Sequence, residues 1–374
     1  MNSNVLESCN GLLRTVSDSS ANVVANTAAL NANAHLRSVT LIGTGTQTLA
    51  LTAAKLAANT TVLGKISNTS YSITVSDTAA HVAANIAALN ANTHLTSITL
   101  TGTGTQTLAL TAAQVATATV ALGKITNASY IVNRTAADGS NTLIAHGSGD
   151  TLVGGSGTTT LVSNAAGNTL RAGTGTTVAS YANNTLTVDL VTASTSDTLT
   201  GINNVVVSGN SATVIGGSGT QKLMASGTAD TLTAGTGTTT LTNTGTGGFY
   251  DYNTGAGQAV IANGASTNAS ASNELDFGSG ITDNKLWFEH VGNDLQIDLM
   301  GTANKVDIAG WFSSPGNQLQ EITAGGLKLD SQVSQLVQAM ATYSANNTGF
   351  SPAVATQAPN DPALQSAIAA SWHA

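Results

Sequence analysis

Six histidines, a scatter of carboxylates and one cysteine are the residues of this chain with chemistry to offer, and their spacing decides what they can do. A histidine serves as general base or metal ligand only beside a second group that orients it or shares the ion. His35 and His94 occupy equivalent places in an internal repeat, which predicts loop positions. His81, His146 and His290 are isolated, and His373 lies in the tail. No HExxH, GxSxG or phosphate-loop pattern occurs, and the glycine-rich stretches are periodic, so they read as turns and not as a phosphate cradle. Asp294, Asp298 and Asp307 fall in predicted hairpins, where carboxylates solvate turns and edge strands or ligate calcium. Cys9 has no partner for an internal disulfide, so stability has to come from repetition or from ions. Its remaining roles are incidental, lipidation, or an intermolecular bridge. These residues predict a chain that is not an enzyme.

The elements that carry them are built from an unusual composition. Of 374 residues only 8% are charged, with 11 Lys+Arg against 19 Asp+Glu and a net charge of -8, while 41% are hydrophobic and the mean hydropathy is +0.12. Such a chain can build a core, and no apolar run reaches the length of a spanning helix. Its surface must be covered by Thr, Ser, Asn and Gly, which suits stacked strands whose hydroxyls and amides form ladders. With so few cations there is no basic patch, which excludes nucleic acid and anionic lipid as partners. Residues 1–15 form a short leader with no basic and apolar signal-peptide pattern, so export, if it occurs, needs another route.

Two kinds of repeat organise the rest. Residues 16–74 and 75–133 are copies of one unit: His35 and His94 match (94 − 35 = 59), and GTGTQTLALTAA starts at both Gly43 and Gly102. In the second copy Val82, Ile86 and Leu89 lie at helical spacing behind Ser76-Asp77, which predicts an amphipathic helix with one of those two residues as N-cap. Leu95–Leu100 and Thr107–Leu110 alternate like half-buried strands around a GTGTQ turn. A second helix from about Ala112, carrying Val115 and Leu122, and a strand at Tyr130–Val132 complete the unit. The first copy repeats this with Val23, Leu30, Leu56 and Leu63, and neither copy can bury its apolar face alone.

From about Ala136 the period becomes nine. AADGSNTLI, AHGSGDTLV, GGSGTTTLV and SNAAGNTLR place Leu143, Leu152, Leu161 and Leu170 at constant intervals. After a less regular segment the pattern returns with Leu223, Leu232 and Leu241. A glycine turn followed by a short strand with one inward apolar residue is the unit of a parallel β-roll, in which successive nonapeptides build opposite walls.

This nonapeptide resembles that of the haemolysin-type calcium-binding (RTX) family, G-G-x-G-x-D-x-U-x. In that family the turn carbonyls and the Asp hold Ca²⁺ while U points inward. Matched residue by residue, the Asp position falls on Asn141, Asp150, Thr159 and Asn168, then on Gln221, Asp230 and Thr239; the acid survives only at Asp150 and Asp230. The resemblance therefore implies a few calcium sites, at Asp150, Asp230, Asn141 and Asn168, within a roll at 134–273 that folds even where calcium ligands are missing. The stretch from Glu274 is similar to the region that follows the roll in such proteins. It has a Leu-Trp-Phe strand, turns at Gly292-Asn293-Asp294 and Gly301-Thr302, and a closing Gly-Trp-Phe. A helix capped by Asp330, with Val333, Leu336, Val337 and Met340 on one face, would lie as a lid over the last coil.

Trp287, Phe288, Trp311 and Phe312 place the densest core in this cap, 274–345. The tail, 346–374, ends in LQSAIAASWHA, which looks like an uncleaved signal for type I secretion. The expected architecture is mostly β: a parallel β-roll or β-solenoid with N-terminal mixed α/β repeats and a C-terminal cap of β-hairpins and a helix. The function implied is that of a secreted repeat protein, at the surface of or outside a Gram-negative bacterium. It would associate with itself, head to tail from an N-terminal end that lacks a cap, into a filament, surface layer or biofilm matrix. A calcium-dependent adhesin or carbohydrate-binding module is the alternative, and a polysaccharide-modifying enzyme a third reading.

Overall fold

A computed structural model describes residues 13–127, 130–145, 147–192, 197–263 and 273–374. Cys9, His146 and most of the leader lie outside the described residues. The chain divides into two compact units, Met1–Ala137 and Asp138–Ala374. No described helix is long and apolar enough to cross a membrane.

The first unit winds through strand, two short helices and strand again. At each strand-to-helix junction a hydroxyl residue, Ser19, Thr52, Thr78 or Thr111, accepts the backbone N–H three residues on. This is the N-cap geometry that satisfies a first-turn donor. The 59-residue unit is thus two half-units, each with its own cap. The cap expected at Ser76 or Asp77 is Thr78 instead, because the strand Tyr71–Thr78 runs on to that residue. Asp77 serves the neighbouring coil: its carboxylate accepts the N–H of Thr78 at 2.8 Å, that of Ala53 at 3.0 Å, and faces His81 Nδ1 at 2.8 Å.

The expected helix through Val82, Ile86 and Leu89 is broken at Asn85 into Ala79–Ala84 and Ile86–Ala91, although all three apolar residues stay buried. Amides tie coil to coil: Asn68 accepts from Leu41 N and donates to Leu41 O, and Asn127 does the same for Leu100. Val23, Leu56, Ile73, Val82, Leu89 and Leu108 form one continuous core.

In the second unit each nonapeptide contributes one strand, and successive strands fall alternately on two parallel walls. Wall 1 is a ten-stranded sheet. Its parallel part consists of Asn141–Ile144, Thr159–Ser163, Thr177–Tyr181, Asn204–Val207, Thr220–Ala225, Thr238–Asn243, Gln258–Asn263 and Lys305–Ile308. Thr159 pairs with Thr177 (177 − 159 = 18), so one coil is two nonapeptides. Leu143, Leu152, Leu161, Leu170, Leu223, Leu232 and Leu241 are all buried between the walls. Each inward leucine contributes about 1.5–3 kcal/mol of burial.

The less regular middle of the sequence is one longer coil, in which Val178 pairs with Asn204 (204 − 178 = 26). It carries two wall 2 strands, Thr187–Asp189 and Thr198–Thr200. Wall 2 is in consequence divided. Thr198–Thr200 continues Thr151–Val153 and Thr169–Arg171, whereas Thr187–Asp189 begins a seven-stranded sheet.

The cap closes on antiparallel hairpins that turn at Gly292 and Gly301, both in the left-handed region that favours glycine. Trp287 and Phe288 are buried, and Trp287 meets Tyr343 and Phe350. Phe312 is only half-buried, its ring lying against His290. The helix Val333–Asn346 packs on Leu286–Val291, the edge strand of wall 1, and the Phe288 N–H donates to Met340 Sδ at 3.0 Å. Asp330 does not cap it: the N-cap position is Gln332, and Asp330 accepts from the N–H and hydroxyl of Ser331.

The tail, 346–374, packs onto the cap. Pro362–Ser371 is a helix capped by Asp361, it packs on Val333–Asn346, and it buries Leu364, Ile368 and Trp372. Backbone bonds between Lys328 and His373 then hold the segment against the hairpin Glu321–Leu329.

Candidate functional site

The residues matched to a calcium-ligating position occupy one structural slot, two residues before each inward leucine, and most of them are buried. Asp150 and Asp230 have no exposed surface, Asn168 is buried, and Asn141 is half-buried. A buried polar group must be hydrogen-bonded or it costs about 1–3 kcal/mol. What satisfies it here is the chain's own backbone, in the turn that precedes it or in a neighbouring coil.

On wall 1 four slot side chains accept the N–H four residues back, while Asn141 donates to the Gly139 carbonyl at 3.1 Å. Gly155 donates to Thr159 at 3.2 Å, Gly173 to Thr177 at 3.1 Å, Gly217 to Gln221 at 2.8 Å and Gly235 to Thr239 at 3.1 Å. On wall 2 Asp230, Asn168, Asp197 and Asn273 each accept an N–H from an earlier coil. Asp230 also accepts from its own turn, whereas the Asn168 amide donates to the Ala165 carbonyl of its turn at 2.8 Å. Asp230 takes Gly227 N–H at 2.9 Å on Oδ2 and Ala212 N–H at 2.8 Å on Oδ1. Asn168 accepts from Asp150 N–H, Asp197 from Asn168 N–H and Asn273 from Gly248 N–H, each at 2.9 Å. Where the slot holds Ala212 or Gly248, the acceptor for its N–H comes from the next coil. Of the four candidate residues, Asp150 and Asn168 lie in adjacent coils of wall 2 and share the bond from the Asp150 N–H to the Asn168 side chain, whereas Asn141 belongs to wall 1 and Asp230 to a later turn of wall 2.

Calcium takes six to eight oxygens that point at the ion. Both oxygens of Asp230 point at N–H donors, and on wall 1 the slots present hydroxyl and amide oxygens already engaged in the same way. Among the described residues no group of three or more His, Cys, Asp and Glu side chains is placed to hold a metal ion. As folded, the Thr159, Gln221, Asp230 and Thr239 slots suit N–H donors and do not fit a calcium coordination sphere.

Sequence matching missed two members of the ladder, Asp197 and Asn273. Continuing the rule of two residues before the inward apolar position, here Leu199 and Leu275, through the irregular coils finds both. It also missed a polar cluster near the cap: Asn243 N–H donates to Tyr250 Oη at 3.1 Å, Tyr250 Oη to Asn263 at 3.3 Å, and Asn273 to Asn263 at 2.8 Å. Burial pushes the Tyr250 hydroxyl far above its ordinary value and that of Tyr252 to about 12.

The outer face of wall 2 is acidic. Asp251 stands in register with Asp276, and Glu274 with Glu321, which Lys328 neutralises at 2.9 Å. Burial first, and then Asp276, raises Asp251; burial, then Glu321 and Asp276, raises Glu274. Burial also raises Asp230 against the pull of its two N–H donors, and it raises Glu289 and Asp298 in the cap. A carboxyl whose folded pKa is raised stabilises the fold once protonated, and the gain is lost as pH rises through that value. Asp77 in the first unit goes the other way: burial raises it, but the bonds from His81, Thr78 and Ala53 outweigh burial and hold it low. Asp330, held low by Ser331, opposes within the cap. Acidification from neutral pH into the carboxylate range should therefore increase hydrogen-exchange protection in the roll, after correction for intrinsic rates, and decrease it around Asp77. A uniform loss of protection in both units would contradict this.

His81, at Asp77, and His94, stacked on Tyr71 at 3.9 Å, serve the fold of the first unit. Asp294 accepts from Gly310 N–H at 2.6 Å, Asp298 from Gln296, and Asp307 pairs with Lys305 at 3.3 Å, so these acids sit in hairpin contacts. No family model matches the chain.

Proposed function

We propose that this chain is a secreted structural repeat protein, related to the haemolysin-type roll proteins, that assembles with itself into an extracellular filament, surface layer or matrix and has no catalytic role. One observation carries the reading: at Thr159, Gln221, Asp230 and Thr239, slots in which the related repeat would hold an ion, the side chain accepts a backbone N–H of its own turn. A roll satisfied from within can stand folded without a ligand, leaving two long regular walls as its usable features. Two nonapeptides per coil support the kinship, and the Pro362–Ser371 helix is the segment through which a type I route would recognise the chain. The second reading, a carbohydrate-binding module, is favoured by a groove of about 590 Å³ between the two C-terminal helices, with Gln335, Gln338, Asn346 and Tyr343 in its lining.

Electron microscopy of the purified chain, in calcium and in chelator, tests the proposal, with the same assemblies expected in both. A calcium titration followed by thermal unfolding should leave the midpoint unmoved; an occupied site at a hundredfold excess over its Kd would add about 2.7 kcal/mol. Monodisperse monomers at every concentration would remove the assembly reading, and a calcium-dependent fold would remove the ligand-free one.

A further inference from the structure

We propose that the outer face of wall 1 is a pairing surface on which two copies of this chain stack sheet to sheet. This rests on the self-assembly reading above and names the face that carries it. Ile144, Val162, Ser180, Val206, Met224 and Thr242 are successive partners in the parallel register, so they form a straight column on the outside of the sheet. Ile144 is 52% and Met224 41% exposed. Val162 and Val206 are half-buried in the same column, so four of its six positions are apolar, with Ser180 and Thr242 between and beyond them. Single exposed apolar residues are ordinary, and their alignment in one stripe is what marks this face.

Charge separates the two walls. In the wall 1 strands from Asn141 to Asn263 the only charged residue is Lys222. The seven-stranded sheet of wall 2 carries Asp189, Asp251, Glu274, Asp276 and Glu321 against Lys328. Copies with a net charge of -8 repel one another, and they meet at least cost where the carboxylates face away. Lys222, exposed on the outer side beside Met224, is the single charge of this face. The cap charges Glu289, Asp298, Lys305 and Asp307 bound it at one end, and a two-fold axis lying between the sheets and parallel to the strands places the two caps at opposite ends.

Spacing selects a second copy as the occupant. Strands repeat at about 4.8 Å, so side chains of an identical sheet interdigitate row for row, as in packed sheets. The parallel strands from Asn141 to Asn263 span ~30 Å by ~16 Å, which buries on the order of 1,000 Å² over both copies, the lower bound for a specific contact. Such a contact is weak singly and strong when repeated in an assembly.

Sedimentation velocity of the full chain over rising concentration is the test. Wild type should associate reversibly; Val206→Lys and Met224→Lys should each weaken association about tenfold or more, since each sets like charges face to face. Thr233→Lys, on wall 2, should leave it unchanged, with circular dichroism checking that all three fold. In a Cys9→Ser background, Ser180→Cys near the middle of the stripe should form a disulfide-linked dimer under mild oxidation. Association that survives both wall 1 lysines, or that is weakened by Thr233→Lys, overturns this face while leaving self-assembly standing. A wild type that stays monomeric overturns both. Wild-type monomers that bind insoluble polysaccharide, and lose that binding in Met224→Lys, would assign the face to another occupant and overturn the pairing.

Discussion

Replacing Gly235 with alanine should cost about 4 kcal/mol or more and unfold the coils around it. A Cβ at Gly235 would lie 2.1 Å from the carbonyl oxygen of Gly217 in the preceding coil and 2.8 Å from the Gly216 carbonyl carbon. Both contacts are with backbone, which cannot rotate away, so the coils must separate and lose the ladder bonds between them. The requirement is closeness and not dihedral freedom, and Gly219 separates the two. It sits at φ +87, and a Cβ there would meet nothing within 4 Å. Gly219→Ala should therefore cost only the left-handed strain, about 1–2 kcal/mol. Urea unfolding of the two variants gives the comparison, and equal losses would show that coil contact is not what the glycine at 235 serves.

Asp230→Val should destabilise the roll by about 2–6 kcal/mol, because it leaves the N–H groups of Ala212 and Gly227 buried without acceptors at about 1–3 kcal/mol each. Asp230→Asn keeps one carbonyl acceptor and should recover part of the loss. It should also remove this residue's share of the acid stabilisation, since an amide does not titrate and the carboxyl's raised pKa is the source of that share. Thermal melts of wild type, Val and Asn variants between neutral pH and the carboxylate range read both effects. If added calcium rescues wild type against Asp230→Val, the carboxylate is a ligand and the hydrogen-bond account of the slot is wrong. Asp230 also joins two coils, so its loss should appear as lowered exchange protection on both sides of it.

The nine-residue spacing of leucines is enough to specify two walls and eighteen residues per coil, because a period-two strand with one inward apolar residue has one way to bury it. The 59-residue units were legible as repeats, but their subdivision was not. The break at Asn85 leaves the apolar spacing of Val82, Ile86 and Leu89 intact, so periodicity cannot report it. The same applies to Asp77: its type suggests a cap, and beside its local partners Thr78 and His81 it binds Ala53, which belongs to another coil and has no local signature.

For the slot residues, sequence supplied the position and tertiary structure supplied the meaning. An Asp two residues before an inward leucine is a cation ligand when turn carbonyls converge on it, and an acceptor when turn N–H groups do. Residue type is the same in both cases. The direction of the neighbouring peptide dipoles decides between them, and that direction exists only after the coils have stacked. The C-terminal segment makes the same point, since Leu364, Ile368 and Trp372 look like the apolar residues of any amphipathic tail until the helix Val333–Asn346 packs on Pro362–Ser371 and Phe288 meets Trp372. Periodicity by itself determined that this chain must wind into a roll, since strict repetition fixes which side chains can share an interior; which groups then satisfy that interior was decided by contacts between residues a full coil apart.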